Sequence, residues 1–139
     1  MDTKFSVAVH VLILVAESSE PMNSEQMAES VGTNASYIRK ILSLLKKADI
    51  VDGHRGISGY SLAVSPDNLT LLQIYRAVTD GEKIHLLDIH QNANDKCIVG
   101  RHIKPVLTKM FADLEDSFAL SLKSKTLADC IADIRNKLR

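Results

Sequence analysis

Eight side chains with the chemistry of phosphate and base recognition fall within one short stretch of this chain. Ser36, Tyr37, Arg39, Lys40, Lys46 and Lys47 come first, followed by His54 and Arg55 in a glycine-rich segment. Hydroxyl and cationic donors of this kind bind phosphate oxygens, and arginine can also bridge the O6 and N7 atoms of guanine. The whole chain has 17 Lys+Arg against 17 Asp+Glu, a zero net charge that weakens the case for general attraction to polyanions. A nucleic-acid reader of this composition must concentrate its cations locally. The stretch from Ser36 to Arg55 does so, setting Arg39, Lys40, Lys46, Lys47 and Arg55 against Asp49 and Asp52.

A second group of reactive residues lies further on. Cys97 follows Lys96 at the expected start of a long helix, with Arg101 and His102 one turn later. A helix N-terminus and nearby cations favour thiolate, making Cys97 a candidate sensor thiol. Cys130 falls on the apolar face of the last helix and reads as a core residue; pairing with Cys97 rests on cysteine count alone. His85, His90, Cys97 and His102 are nitrogen and sulfur donors, but their spacing matches no compact zinc pattern. Neither a metal nor another cofactor is expected. No Ser/His/Asp order, phosphate loop or paired carboxylates in a cleft point to an enzyme.

These residues need elements to hold them. At 139 residues the chain is about one domain, 45% apolar but only 4% aromatic, a composition suited to aliphatic helices packed on helices. The N-terminus has no signal-peptide pattern, the longest apolar run (Val11 to Ala16) is too short to span a bilayer, and two cysteines make no disulfide framework. A cytoplasmic protein with no membrane contact is expected.

Apolar residues on nearly every face predict a buried first helix over Thr3 to Glu17. Asn23 and Gln26 form a capping-box pattern before a second helix from Ser24 to about Val31, which Gly32 ends. Asn34 caps a third helix, Ala35 to Ala48, whose inward stripe is Ile38, Ile41, Leu42 and Leu45. Two short helices joined at a glycine match helix-turn-helix dimensions. A hairpin follows, with strands starting at Ile50 and running from Tyr60 to Val64 about a turn containing Gly53, Gly56 and Gly59. Thr70 and Gln73 cap a fourth helix to Val78. Ile84 to Asp95 has no period and reads as irregular. A long amphipathic helix is expected from about Ile98 to Leu122, with Ile103, Leu107, Met110, Leu114, Phe118 and Leu122 as its stripe. Pro105 implies that this helix either starts near that residue or kinks there. A last helix capped by Thr126 and Asp129 presents Leu127, Cys130, Ile131, Ile134 and Leu138.

Three blocks, SYIRKILSLLKKADIV, HRGISGYSLA and LTLLQIYRAVTDG, resemble the Rrf2 family of bacterial winged helix-turn-helix transcription regulators. The family pattern has a Ser-x-Tyr start to the recognition helix and a Leu-x-x-Leu-Lys-Lys-Ala run. An Arg-Gly-x-x-Gly-Gly-Tyr wing and an Ile-Thr-Leu helix closing in Ala-Val-x-x-Gly follow. The resemblance covers Thr3 to Gly81 closely and runs more loosely through Cys97, Gly100 and the long helix. Asp49 stands where the family usually has glycine, and Ser58 replaces the first glycine of the wing pair. Cluster-binding members resemble one another in three cysteines before the long helix; here Cys97 stands alone.

The expected architecture is mainly α with a small β-wing. It comprises a winged helix-turn-helix over residues 1–81, an irregular effector or linker segment over 82–97, and a dimerisation helix with a C-terminal helix over 98–139. The expected function is transcriptional regulation, as a repressor in the first instance. A homodimer would bind double-stranded DNA at a palindromic operator, with an oxidant or small-molecule effector acting through Cys97. The competing expectation is a winged-helix module that docks a protein and binds DNA weakly.

Overall fold

The computed structural model describes residues 2–53, 59–81 and 83–139. The chain order is α1 (Lys4–Glu17), α2 (Ser24–Val31), α3 (Ala35–Lys47), β1 (Val51–Gly53), β2 (Tyr60–Leu62), α4 (Leu71–Val78), α5 (Ile98–Lys123) and α6 (Leu127–Lys137). This is the expected mainly helical winged architecture. No helix among the described residues is long and apolar enough to cross a membrane.

The caps form as their residue types dictate. Asn23 Oδ1 accepts from the Gln26 N–H at 2.8 Å, while Gln26 Oε1 accepts from the Asn23 N–H at 2.9 Å. Thr70 with Gln73, and Thr126 with Asp129, make the same reciprocal exchange at α4 and α6. The ends of α3 and α4 share a second device. The Asp49 and Ile50 N–H groups donate to the Lys46 and Leu45 carbonyls, and those of Asp80 and Gly81 donate to Ala77 and Arg76. These are Schellman closures, with Asp49 (φ 59) and Asp80 (φ 54) in the left-handed position glycine usually fills.

The core gathers Ala8, Val11 and Leu12 of α1, Met27 and Ala28 of α2, and the predicted α3 stripe of Ile38, Ile41, Leu42 and Leu45. All four stripe residues are at most 2% exposed, which fixes the opposite face of α3 toward solvent. α1 is less enclosed than its composition suggests: Val7, Val9, Ile13, Leu14 and Val15 are only half-buried.

The sheet has two antiparallel strands, with Val51 opposite Leu62, Asp52 opposite Ser61 and Gly53 opposite Tyr60. The return strand is shorter than predicted, ending at Leu62; beyond it the Ala63 N–H still donates to the Ile50 carbonyl at 2.8 Å.

α5 is continuous from Ile98, so it does not begin at Pro105, which lies inside it. Proline lacks the N–H that would bond the Arg101 carbonyl, and the helix tolerates this loss near its solvent-exposed start. α5 packs principally on α4. The joint buries Leu72, Ile84 and Leu122 and stacks three rings edge to face: Phe5–Tyr75 at 5.5 Å and Tyr75–Phe118 at 5.9 Å. Of the predicted α5 stripe only Leu122 is buried; Ile103, Leu107 and Phe118 are half-buried, and Met110 is 57% and Leu114 55% exposed. α6 packs back onto α1 through Leu127 and Ile131, whereas Ile134 and Leu138, predicted on the same face, are exposed.

Candidate nucleic-acid interface

The α3 surface follows from its caps and its stripe. Asn34 Oδ1 accepts from the Tyr37 N–H at 2.8 Å and sets the helix entry. With 3.6 residues per turn and the apolar stripe turned inward, Ser36, Arg39, Lys40, Ser43, Lys46 and Lys47 fall on the open side, and all six are exposed. Tyr37 differs, since its ring is half-buried against the core, where it steadies the first turn of α3.

The cations on this surface have different neighbours. Arg39 Nη1 lies 3.4 Å from Glu25 Oε1 on α2. Lys47 Nζ lies 2.9 Å from Asp80 Oδ1 beyond α4. Lys46 leans over the root of the hairpin: its Nζ would be 3.6 Å from a Cβ placed on Gly53, and Tyr60 Cε1 would be 3.2 Å away. Lys40 has no ion-pair partner among the described residues. His54 and Arg55, the expected wing-tip contacts, lie outside the described residues. A helix face with separate cations beside a two-stranded ribbon has the chemistry to hold a duplex backbone at several points and place one arginine against base edges.

The sequence reading missed Glu25 and Asp80 as neighbours of this face. Glu25 is recognisable in sequence only as an acid in the first turn of α2, and Asp80 only as a helix stop.

Cys97 is exposed and occupies the N-cap of α5. The backbone N–H groups of Gly100 and Val99 hold its thiol below the usual range. The expected cations have other contacts: Arg101 Nε donates to the Asp95 carbonyl at 2.9 Å, and His102 Nδ1 is 2.8 Å from the Ile98 carbonyl. The helix N-terminus, rather than neighbouring cations, is what favours the thiolate. Burial, then Asp129 and Asp133, push the Cys130 thiol up, as expected for a packed residue.

The four candidate metal donors are not assembled. His85 pairs with Asp88 at 2.5 Å, and no group of three or more His, Cys, Asp or Glu among the described residues is arranged to hold a metal. The segment containing His85 is tied to α5 by Glu115, whose carboxylate accepts from the Leu86 N–H at 2.5 Å and lies 3.9 Å from His85 Nδ1.

Comparison with known proteins gives the family and the fold. The family described as "Rrf2: Iron-dependent Transcriptional regulator" matches residues 1–133. A Bacillus subtilis (strain 168) protein named "Putative HTH-type transcriptional regulator YwnA" is 39% identical over 129 residues, covering 93% of this chain and 95% of that protein. A solved structure described as "Crystal structure of a putative DNA binding protein" superposes with a TM-score of 0.75 at 36% identity, covering 92% of this chain and 98% of the other. CymR, the global cysteine regulator of B. subtilis, shares the fold at a TM-score of 0.70 and 22% identity, covering 95% of each chain. The iron in the family description does not fit the donors described here: Cys97 is the one cysteine before α5, and Cys130 belongs to α6.

Proposed function

This chain belongs to the Rrf2 family of transcriptional regulators, and from that membership we propose that it represses transcription as a homodimer bound to a palindromic operator. The family consists of DNA-binding regulators rather than enzymes. In the proposed complex, α3 of each subunit enters the major groove. Arg39 reads a base pair; Ser36, Tyr37, Lys40, Lys46 and Lys47 contact phosphates, with His54 and Arg55 at the flanking backbone. Residues 1–81 act as the reading domain, 82–97 as the effector segment and 98–139 as the dimerisation unit.

The observation carrying this reading is the open cationic face of α3 beside the β1–β2 ribbon, backed by a fully buried apolar stripe. Dimerisation is supported by Met110 and Leu114, exposed on α5 where the helix extends past α4. A twofold pair doubles the few cations of a neutral chain and presents two reading helices to two half-sites. Cys97 is proposed as the sensor. Attack of the Cys97 thiolate on a peroxide oxygen would form a sulfenic acid and release hydroxide. This replaces the group that the first turn of α5 holds beside the Cys97 N–H to Asn94 carbonyl bond, which ties the 83–95 segment to that helix. The angle between the two α3 helices would change with it.

Operator binding across a salt series tests the reading. Affinity should fall steeply and linearly on a log–log plot, and Arg39→Ala should remove about 1–3 kcal/mol of specific binding. A flat salt response would instead favour the protein-docking module. Equal operator affinity with Cys97 reduced and oxidised would remove the thiol mechanism while leaving DNA reading intact.

A further inference from the structure

We propose that Glu25 is a positioning residue for Arg39 and, through it, determines which base pair α3 selects; this rests on the reading role given to Arg39 above. Both ends of the pair have well-fixed backbones. Glu25 sits in the first turn of α2, behind the reciprocal Asn23–Gln26 cap. Arg39 sits in the second turn of α3, behind the Asn34 cap. Met27 and Ala28 of α2 and Ile38, Ile41 and Leu42 of α3 share one buried core, so the helices hold the two Cα positions together.

The contact is between one guanidinium nitrogen, Nη1, and one carboxylate oxygen, Oε1, at 3.4 Å. Among the described residues the remaining N–H donors of Arg39 have no partner, and they can make the two-point contact that guanine offers. Side-chain exposures of 55% for Arg39 and 67% for Glu25 mean that the pair adds little to folding. Its consequence is to narrow the arc a long side chain sweeps before DNA arrives, which lowers the ordering cost of a correct contact. Glu25 also repels phosphate. At a correct site the Arg39 base contact offsets that repulsion; at other sites nothing does, and discrimination widens. A glutamate present only to complement the α2 dipole would have no effect on base choice.

Selecting bound duplexes from a random pool tests this, using the full chain, Arg39→Ala, Glu25→Gln, Glu25→Ala and the Glu25→Ala/Arg39→Ala double variant. Arg39→Ala should flatten the preference at one symmetry-related pair of base positions. Both Glu25 variants should weaken preference at those same positions by about fivefold or more, leave other positions alone, and bind non-specific duplex more tightly. The double variant should match Arg39→Ala in base preference there, because the glutamate affects base choice through the arginine, while its repulsion of phosphate acts on every duplex alike. Melting temperatures should be unchanged, since both groups are exposed. Glu25 variants that keep the wild-type preference, or that shift every position alike, overturn the positioning role while leaving Arg39 as the reader. An Arg39→Ala variant with unaltered preferences overturns both.

Discussion

Lys47 and Asp80 join the C-terminal ends of α3 and α4 through a 2.9 Å ion pair. Both side chains are more than half exposed, so the pair contributes little to stability. In the proposed complex the pair would hold back a cation that the α3 face otherwise presents to phosphate. Asp80→Asn releases it, and asparagine accepts the left-handed backbone at this position. The variant should keep its melting temperature, bind duplex more tightly at low salt, and steepen the log–log salt dependence by up to about one phosphate contact per subunit. An unchanged slope would place Lys47 away from the backbone.

Asp49 closes α3 in a left-handed conformation that costs a side chain energy and costs glycine none. It also adds an anion two residues after Lys47 in the chain. Asp49→Gly should raise unfolding free energy by at most about 1 kcal/mol, the relief of strain being partly offset by a more flexible unfolded chain. DNA affinity should rise as well, and this gain should shrink as salt screens the removed charge. Urea denaturation and binding titrations at two ionic strengths separate the two effects.

Gly59 enters β2 at φ 125, and a Cβ there would overlap the Pro21 ring in the loop between α1 and α2. Gly59→Ala therefore combines backbone strain with a clash against a rigid neighbour. A loss of about 1–3 kcal/mol in unfolding free energy is expected. If the hairpin instead swings away to relieve the clash, stability is kept and operator affinity falls. Denaturation and DNA titration together distinguish these results.

The elements were readable in sequence where the cause is local. Asn23 with Gln26, Thr70 with Gln73 and Thr126 with Asp129 each mark a helix start within four residues. The spacing of Ile38, Ile41, Leu42 and Leu45 identifies the buried face of α3 and, by subtraction, the cationic one. Arg39 with Glu25, Lys47 with Asp80 and Gly59 with Pro21 were not readable, because each depends on segments distant in the chain meeting at a particular angle. Pro105 leaves two readings open in sequence, a helix start or a kink; the continuous α5 from Ile98 removes the first, because the helix loses only one hydrogen bond there. Ile134 and Leu138 fit the periodicity of α6 yet stay exposed, although α1 still reaches the last turn of that helix through the Glu17–Arg135 ion pair.

The His85 ring is held protonated to higher pH than usual, chiefly by its hydrogen bond to Asp88, then by the Asp88 charge and more weakly by Glu115. A raised value in the folded chain means that the pairing stabilises fully at pH below the ordinary histidine value. That contribution is lost as pH rises through the raised one. NMR titration should place the His85 midpoint above the ordinary histidine value, and Asp88→Asn should move it down. Amide exchange at Leu86, whose N–H donates to Glu115, should quicken on the alkaline side of the His85 midpoint if the two contacts hold the segment together.

Leu114 lies 55% exposed on α5, four residues past Met110, so one apolar ridge faces away from the rest of the chain. In a dimer built on α5 this ridge is desolvated, and a carboxylate placed there would be buried without a partner. In a monomer the same carboxylate meets water. Leu114→Glu should therefore sediment as a monomer at concentrations where the parent chain is dimeric, while retaining its helical content. Operator affinity should fall by orders of magnitude, because the two half-sites are no longer engaged together. Binding to a single half-site should change little. A Leu114→Glu chain that stays dimeric would move the subunit contact off this ridge, and Val106 and Leu120, exposed elsewhere on α5, would be the next residues to substitute.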